Sequence, residues 1–258
     1  HFPKRQPKAL TFRIRDNDPS DQYARLYSDR VVDTIRLLHL PRYGLANYLR
    51  PTPDTQPSSD EAEVMANLSR AGKRLIGFCR TNLFKRLESS GHAFLLSVRR
   101  HILRNFIYLH ALENSLPLPI GTQDSALFDT RADDHDSDST LFGAENQSSS
   151  QPTDVTANSF EEFATVGANS YEILRAEHGH LFDWLRPNVF IEDLTKHLRQ
   201  DAERLFSILE LAGEWEPAQD NKLAALRKLL VKKHAEQKVL VFSQFADTVR
   251  FLATQLKE

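Results

Sequence analysis

Leu68, Leu75, Cys79, Leu83 and Leu87 recur at spacings of seven or four, and Leu95, Val98, Ile102, Phe106 and Leu109 resume the pattern after Ser89-Ser90-Gly91. Spacings of three, four and seven put side chains on one face of a 3.6-residue helix, and a Ser/Gly cluster interrupts such a face. The pattern therefore predicts two long helices folded back on each other as an antiparallel hairpin, and a mainly α protein. A chain of 258 residues, 40% of them hydrophobic, is long enough to bury a core without covalent staples.

The rest of the chain is organised around that hairpin. Residues 8–15 alternate apolar (Leu10, Phe12, Ile14) and polar (Thr11, Arg13, Arg15) side chains, the period of a half-buried strand. A helix is expected from about 20 to 40, ended before Pro41, and the Pro/Ser-rich stretch 51–60 reads as a loop. Residues 121–160 hold eight acids, one arginine and few large apolar groups, the composition of a flexible acidic insertion. A helix over 188–212 carries Ile191, Leu194, Leu198, Leu205, Ile208 and Ala212, and a short one starts after Asp220, a candidate N-cap. At Lys238-Val-Leu-Val-Phe-Ser243 the period changes to a continuous apolar run, which suits a strand buried on both faces of a parallel sheet. Phe245, Val249, Leu252 and Leu256 continue as a helix, so this is the opening strand–helix unit of a doubly wound α/β domain. The divisions are 1–120, a strand and basic helices; 121–160, the acidic insertion; 161–219, a helical region; and 220–258, the unfinished α/β unit.

Charge separates these parts. Residues 1–110 carry 19 Lys/Arg against 10 Asp/Glu, whereas residues 111–258 carry 14 against 25. Between 70 and 104 there are nine cations (Arg70, Lys73, Arg74, Arg80, Lys85, Arg86, Arg99, Arg100, Arg104) and one acid, Glu88. Such a stretch can track a phosphate backbone or form a solvated outer face opposite the apolar stripe. The turn at Ser243-Gln244 is a second candidate site, because ligands of open parallel sheets gather at the carboxyl ends of strands; the plainer reading is a loop capped by Ser243.

Other patterns carry less. Asp134, Asp136, Asp138, Leu141 and Glu145 match the offsets of a calcium loop, but its sixth position is Ser139 instead of the turn-permitting glycine. Coincidence in an Asp/Ser-rich tract is the better account. His178 and His180 have no third ligand at a recognisable spacing, Cys79 falls on an apolar helical face as a buried thiol, and Trp184 and Trp215 read as packing anchors. One cysteine excludes an internal disulfide framework and reads as an intracellular, cytoplasmic chain; no apolar run reaches the roughly 18 residues of a membrane span. No G-x-x-x-x-G-K-[ST] loop is present, which argues against an isolated nucleotide hydrolase. With His1 at the start and Met65 the only methionine, the chain reads as an excised piece.

Asp220-Asn-Lys-Leu-Ala-Ala-Leu-Arg-Lys-Leu-Leu, followed by Lys238-Val-Leu-Val-Phe-Ser-Gln-Phe-Ala-Asp-Thr-Val, resembles the start of the second RecA-like lobe of Swi/Snf-type superfamily-two ATPases. Lys85-Arg-Leu-Glu-Ser-Ser90 and Phe182-Asp-Trp-Leu-Arg-Pro187 look like bacterial members, and His1-Phe-Pro-Lys-Arg5 looks like the passage that leaves the first lobe. The resemblance is patchy but spans nearly the whole chain, the acidic insertion excepted. It implies a parent enzyme, a helicase-like translocase that couples ATP hydrolysis, with Mg2+, to movement along duplex DNA. This chain would supply the inter-lobe helical region and the first strand and helix of the second lobe, binding no cofactor itself and carrying no catalytic residue. Lys85, Arg86, Arg99, Arg100 and Arg104 would touch phosphates; Ser243 and Gln244 match the fourth helicase motif, and Lys222 the family lysine before it. The first-lobe ATP motifs and the late arginine-bearing motif are absent. The competing expectation is a regulatory or protein-docking helical module, in which the acidic insertion shields the basic helices or recruits a protein partner.

Overall fold

The computed structural model describes residues 7–15, 18, 20–53, 56–68, 72–121, 157–177 and 179–257. It is mainly helical: α1 (Gln22–Leu26), α2 (Asp29–Leu37), α3 (Ser59–Leu68), α4 (Gly72–Ser89), α5 (Gly91–Glu113), β1 (Leu118–Gly121), α6 (Phe160–Glu177), β2 (Phe182–Leu185), α7 (Asp193–Ala212), α8 (Asn221–Lys228) and α9 (Ala246–Gln255). The calcium-like motif, most of the acidic insertion, His178, Arg70 and the first five residues lie outside the described residues.

Helix α5 is the axis of the molecule, packed by α4, α6 and α7. Its predicted stripe is buried, with Val98 and Ile102 at 0% exposure, and Leu83 and Leu87 of α4 close the seam between the two. Each such side chain removed from water contributes about 1.5–3 kcal/mol. Ser90 separates α4 from α5 and caps α5, its Oγ accepting from the Ala93 N–H. Position 91 must be glycine, because a Cβ there would stand 2.2–2.9 Å from the Trp215 ring. Trp215 in turn meets the Tyr23 ring edge-on at 5.2 Å, which bears out its reading as an anchor. Cys79 is buried, as expected.

Helix α6, inside the helical region 161–219, was not singled out by periodicity. Its buried stripe of Phe163, Gly167, Tyr171 and Leu174 contains a glycine, and a hydropathy pattern cannot register a contact made by an absent side chain. Gly167 lets α6 approach Phe106, where a Cβ would come within 2.7 Å of the Phe106 Cβ. Beside it, β1 and β2 pair antiparallel, Leu118 opposite Leu185 and Gly121 opposite Phe182. The phenolic hydroxyls of Tyr108 and Tyr171 donate to the Pro119 and Pro117 carbonyls at 2.6 and 2.8 Å. Trp184 donates its indole N–H to the Gly179 carbonyl at 2.8 Å and packs edge-on against Tyr171.

Three expectations need correction. Residues 8–15 form no strand, because the only ladder among the described residues is β1–β2 and an alternating pattern without a neighbouring edge leaves its backbone unpaired. Leu10 is 51% exposed and Phe12 rests on Tyr23 instead. The helix expected over 20–40 is two, α1 and α2, since the Ser28 hydroxyl bonds the Arg25 carbonyl at 2.7 Å and closes the first turn locally. It does end before Pro41, where Leu40 takes a left-handed φ of 53°. That turn is secured by Asp201 of α7, fully buried, whose carboxylate accepts the N–H groups of His39 and Leu40 at 2.9 and 2.6 Å. Helix α7 itself begins at Asp193, a single 3-10 turn over Pro187–Val189 occupying the start of the expected span.

The third correction concerns 238–243. The apolar run lies outside any ladder, with Leu240 81% and Phe242 87% exposed, because no strand runs beside it among the described residues. The flanking helices are as expected: Asp220 caps α8, accepting from the Lys222 and Leu223 N–H groups, and α9 follows the turn.

Candidate nucleic-acid interface

Four of the eight residues nominated from sequence meet at one junction, where the end of α4, the middle of α5 and the starts of α8 and α9 converge. Arg86 and Arg100 reach it from α4 and α5 because those helices pack along their apolar stripes with Ser90 between them. Both guanidinium groups converge on Asp247, in the first turn of α9. Arg86 Nη1 lies 3.2 Å from Asp247 Oδ2, and Arg100 grips the carboxylate in a fork, Nη1 to Oδ2 at 2.5 Å and Nη2 to Oδ1 at 3.0 Å. Arg250, one turn on, adds a third contact at 3.3 Å. The Arg86 guanidinium also lies 4.8 Å above the Phe245 ring. The Arg86 and Asp247 side chains are 6% and 7% exposed, so this is a buried, charge-assisted clamp.

Lys222 and Ser243 complete the junction. The Lys222 ammonium donates to the Glu88 and Ser89 carbonyls at the end of α4, the latter at 2.8 Å, where a cation complements the helix dipole. Burial lowers its pKa from the ordinary lysine value, with Asp220 and Glu88 opposing the shift. Ser89 Oγ lies 3.1 Å from Ser243 Oγ and 2.9 Å from Thr248 Oγ1, a hydroxyl bridge between α4 and the start of α9. Ser243 also accepts from the Phe245 N–H at 3.2 Å, a local turn bond just before α9, whose N-cap is Phe245 itself.

The other four nominees make none of these contacts at Asp247 or at the end of α4. Arg104 is 2% exposed within α5. With Arg42, Arg86 and Arg100 it surrounds the buried His101, whose pKa is pushed well below its ordinary value by burial first and by these cations second. Arg99 donates to the Ala157 carbonyl at 2.5 Å. Lys85 and Gln244 are exposed. Among the five cations assigned to phosphates, Lys85 is thus the one whose position fits a free outer face; Arg86, Arg99, Arg100 and Arg104 are drawn inward. Lys73 and Arg74 lie on α4, and only their backbone is described.

Two features escaped the sequence analysis. Asp247 is the hub of the junction, yet nothing in the spacing marks it beyond being an acid in the first turn of a helix. Arg227, Lys228, Lys232, Lys233 and Lys238, interrupted only by the acid Glu236, are all exposed. The exposed run 239–242 follows them directly, so exposed cations are found around α8 as well as at Lys85 of α4. The signal was their density, hidden because the surrounding region 111–258 is acidic on average.

Among the described residues no group of three or more His, Cys, Asp or Glu is placed to hold a metal ion. No helix among them is long and apolar enough to cross a membrane. No family model, no curated protein and no solved structure matches the chain.

Proposed function

We propose that this chain is the inter-lobe helical region and the opening of the second RecA-like lobe of a Swi/Snf-type DNA translocase, a part that touches the duplex backbone and couples the lobes. The observation that carries the reading is the pairing of an exposed apolar run with an anchored helix. Residues 239–242 expose Val, Leu, Val and Phe side chains between 42% and 87%, while α9, a few residues on, is clamped through Asp247 to the basic hairpin. An apolar, β-branched segment left at the surface is what the inner strand of a parallel sheet looks like without its neighbours. The clamp would transmit motion of that sheet to α4 and α5. The ATP site and its Mg2+ belong, on this reading, to other parts of the parent enzyme.

Backbone contact falls to Lys85 and to the exposed cations of 227–238. Binding would be insensitive to sequence and sensitive to salt, the log of affinity falling by about 0.9 per neutralised phosphate per log unit of salt. Fluorescence anisotropy with a labelled duplex over a salt series tests this. Replacing Lys228, Lys232 and Lys233 by Glu should weaken binding about ten-fold or more at low salt and reduce the slope by two to three. Duplex binding undetectable at low salt, or unaffected by the triple change, overturns the reading in favour of a protein-docking module.

A further inference from the structure

We propose that α9 is a cover over a second phosphate-binding surface, with Asp247 standing in the place that a backbone phosphate takes when α9 lifts. The inference rests on the duplex-binding reading and adds a regulation to it. The fork of Arg100 on Asp247, 2.5 and 3.0 Å, is the arrangement by which a guanidinium also holds a phosphate diester. Arg86 approaches the same oxygen from α4, so two guanidinium groups on two different helices of the rigid core converge on one anion. The core fixes the cations, whereas the anion is on a ten-residue helix whose approach, residues 231–242, is exposed at nearly every position.

Other attachments of α9 include a bond at its far end, where the Arg227 guanidinium of α8 donates to the Gln255 carbonyl, and a patch of contacts at its start and middle. Phe245 lies under Arg86, Phe251 stacks on His92 at 4.6 Å, and Thr248 takes the Ser89 hydroxyl. Lifting α9 exposes these groups together with both guanidinium groups and returns Asp247 to water, where a carboxylate is well solvated. A duplex phosphate, on a backbone also held by the exposed cations Lys228, Lys232 and Lys233, then replaces the carboxylate at the fork. The closed state therefore competes with the duplex, and the apparent affinity is reduced by the fraction of chains that are closed.

Asp247→Asn removes the competing charge and keeps the shape. It should bind the labelled duplex about ten-fold or more tightly at low salt, with a slope steeper by about one, for the single phosphate that both arginines hold. The gain should vanish when Arg86→Gln and Arg100→Gln are added. Hydrogen exchange on the unaltered chain gives a readout that needs no variant to fold: a saturating duplex should speed exchange in residues 248–255 and leave α5 protected. A wild-type chain that binds, with a folded Asp247→Asn variant of unchanged or weaker affinity, or with α9 exchange unchanged by duplex, overturns the cover while leaving the proposed function standing. Absence of binding by both wild type and variant overturns both.

Discussion

Helix α5 and the run 238–243 are both strongly apolar, and the molecule treats them oppositely. Phe94, Val98 and Ile102 are fully enclosed by α4, α6 and α7, while Leu240 and Phe242 are almost fully exposed. The difference lies in the backbone. A helix satisfies its own N–H and C=O groups within the segment, so its apolar face needs only side chains to pack against. A strand must find its hydrogen bonds on another segment before its side chains can be buried on either face. Apolar content measures the demand for burial; whether the demand is met depends on which neighbours the chain supplies.

The largest test of this contrast is at the centre. Phe94→Ala should cost about 3–5 kcal/mol, through lost transfer energy and the cavity that α4, α6 and α7 can only partly close, read as a shift of the urea midpoint at constant slope. A loss below about 1 kcal/mol would mean that α5 is not the organising element, and the comparison would fail at its stronger end.

A test of middle size uses acid. Burial lowers the pKa of His101 well below 6.5, and the arginines around it add to the shift. His39 and His197, stacked at 3.7 Å between the turn after α2 and α7, are lowered by burial first. Arg204, Arg80 and Lys196 add to the shift at His39, and the neighbouring imidazole adds to it at His197. Each takes up its proton at lower pH in the folded chain than in the unfolded chain, where it titrates near 6.5, so the unfolded state binds more protons below that value. Stability contributed by the neutral forms is therefore complete above about pH 7 and is lost as pH falls through 6.5. For the buried His101 the loss is at most about 1.4 kcal/mol for each pH unit below that point. Urea titrations at pH 7.5 and 5.5 should show the midpoint falling, and His101→Asn should remove part of the difference. A midpoint independent of pH would show that these imidazoles are not held neutral by the core.

The same division explains what could be read from the sequence. The hairpin, the break at Ser89-Ser90-Gly91, the cap at Asp220, the end of α2 before Pro41 and the burial of Cys79 are local consequences of spacing and side-chain type, and all were legible. Helix α6 was not, because its closest contact is made at Gly167. The strands expected at 8–15 and 238–243 depended on partners that no local pattern names. At the candidate site the sequence nominates eight residues in separate sets, and the structure brings four of them, Arg86, Arg100, Lys222 and Ser243, to one junction. It could not reveal that Arg86 and Arg100 turn inward, since the direction of a basic side chain on an amphipathic helix depends on which acid the rest of the fold presents, and Asp247 lies more than 140 residues away in the chain.

The smallest expected effect is the most exacting test of the contrast at its weaker end. Phe242 is 87% exposed, so Phe242→Ser removes almost no buried surface and should change stability by no more than about 0.5 kcal/mol. The comparison with Phe94 is direct, since both are phenylalanines in apolar runs and differ only in whether neighbours enclose them. An effect near 2 kcal/mol would place Phe242 in a packed interior and remove the ground for reading 238–243 as an unpaired strand. A second consequence has the opposite sign: an exposed apolar run that belongs to no ladder among the described residues is a template for association, restrained here by the exposed Lys232, Lys233 and Lys238 beside it. Phe242→Ser should therefore leave the urea midpoint in place while raising the concentration at which light scattering first detects association. If stability and solubility both stay unchanged, 239–242 is inert surface, and the inner-strand reading loses its physical basis even though the core prediction holds.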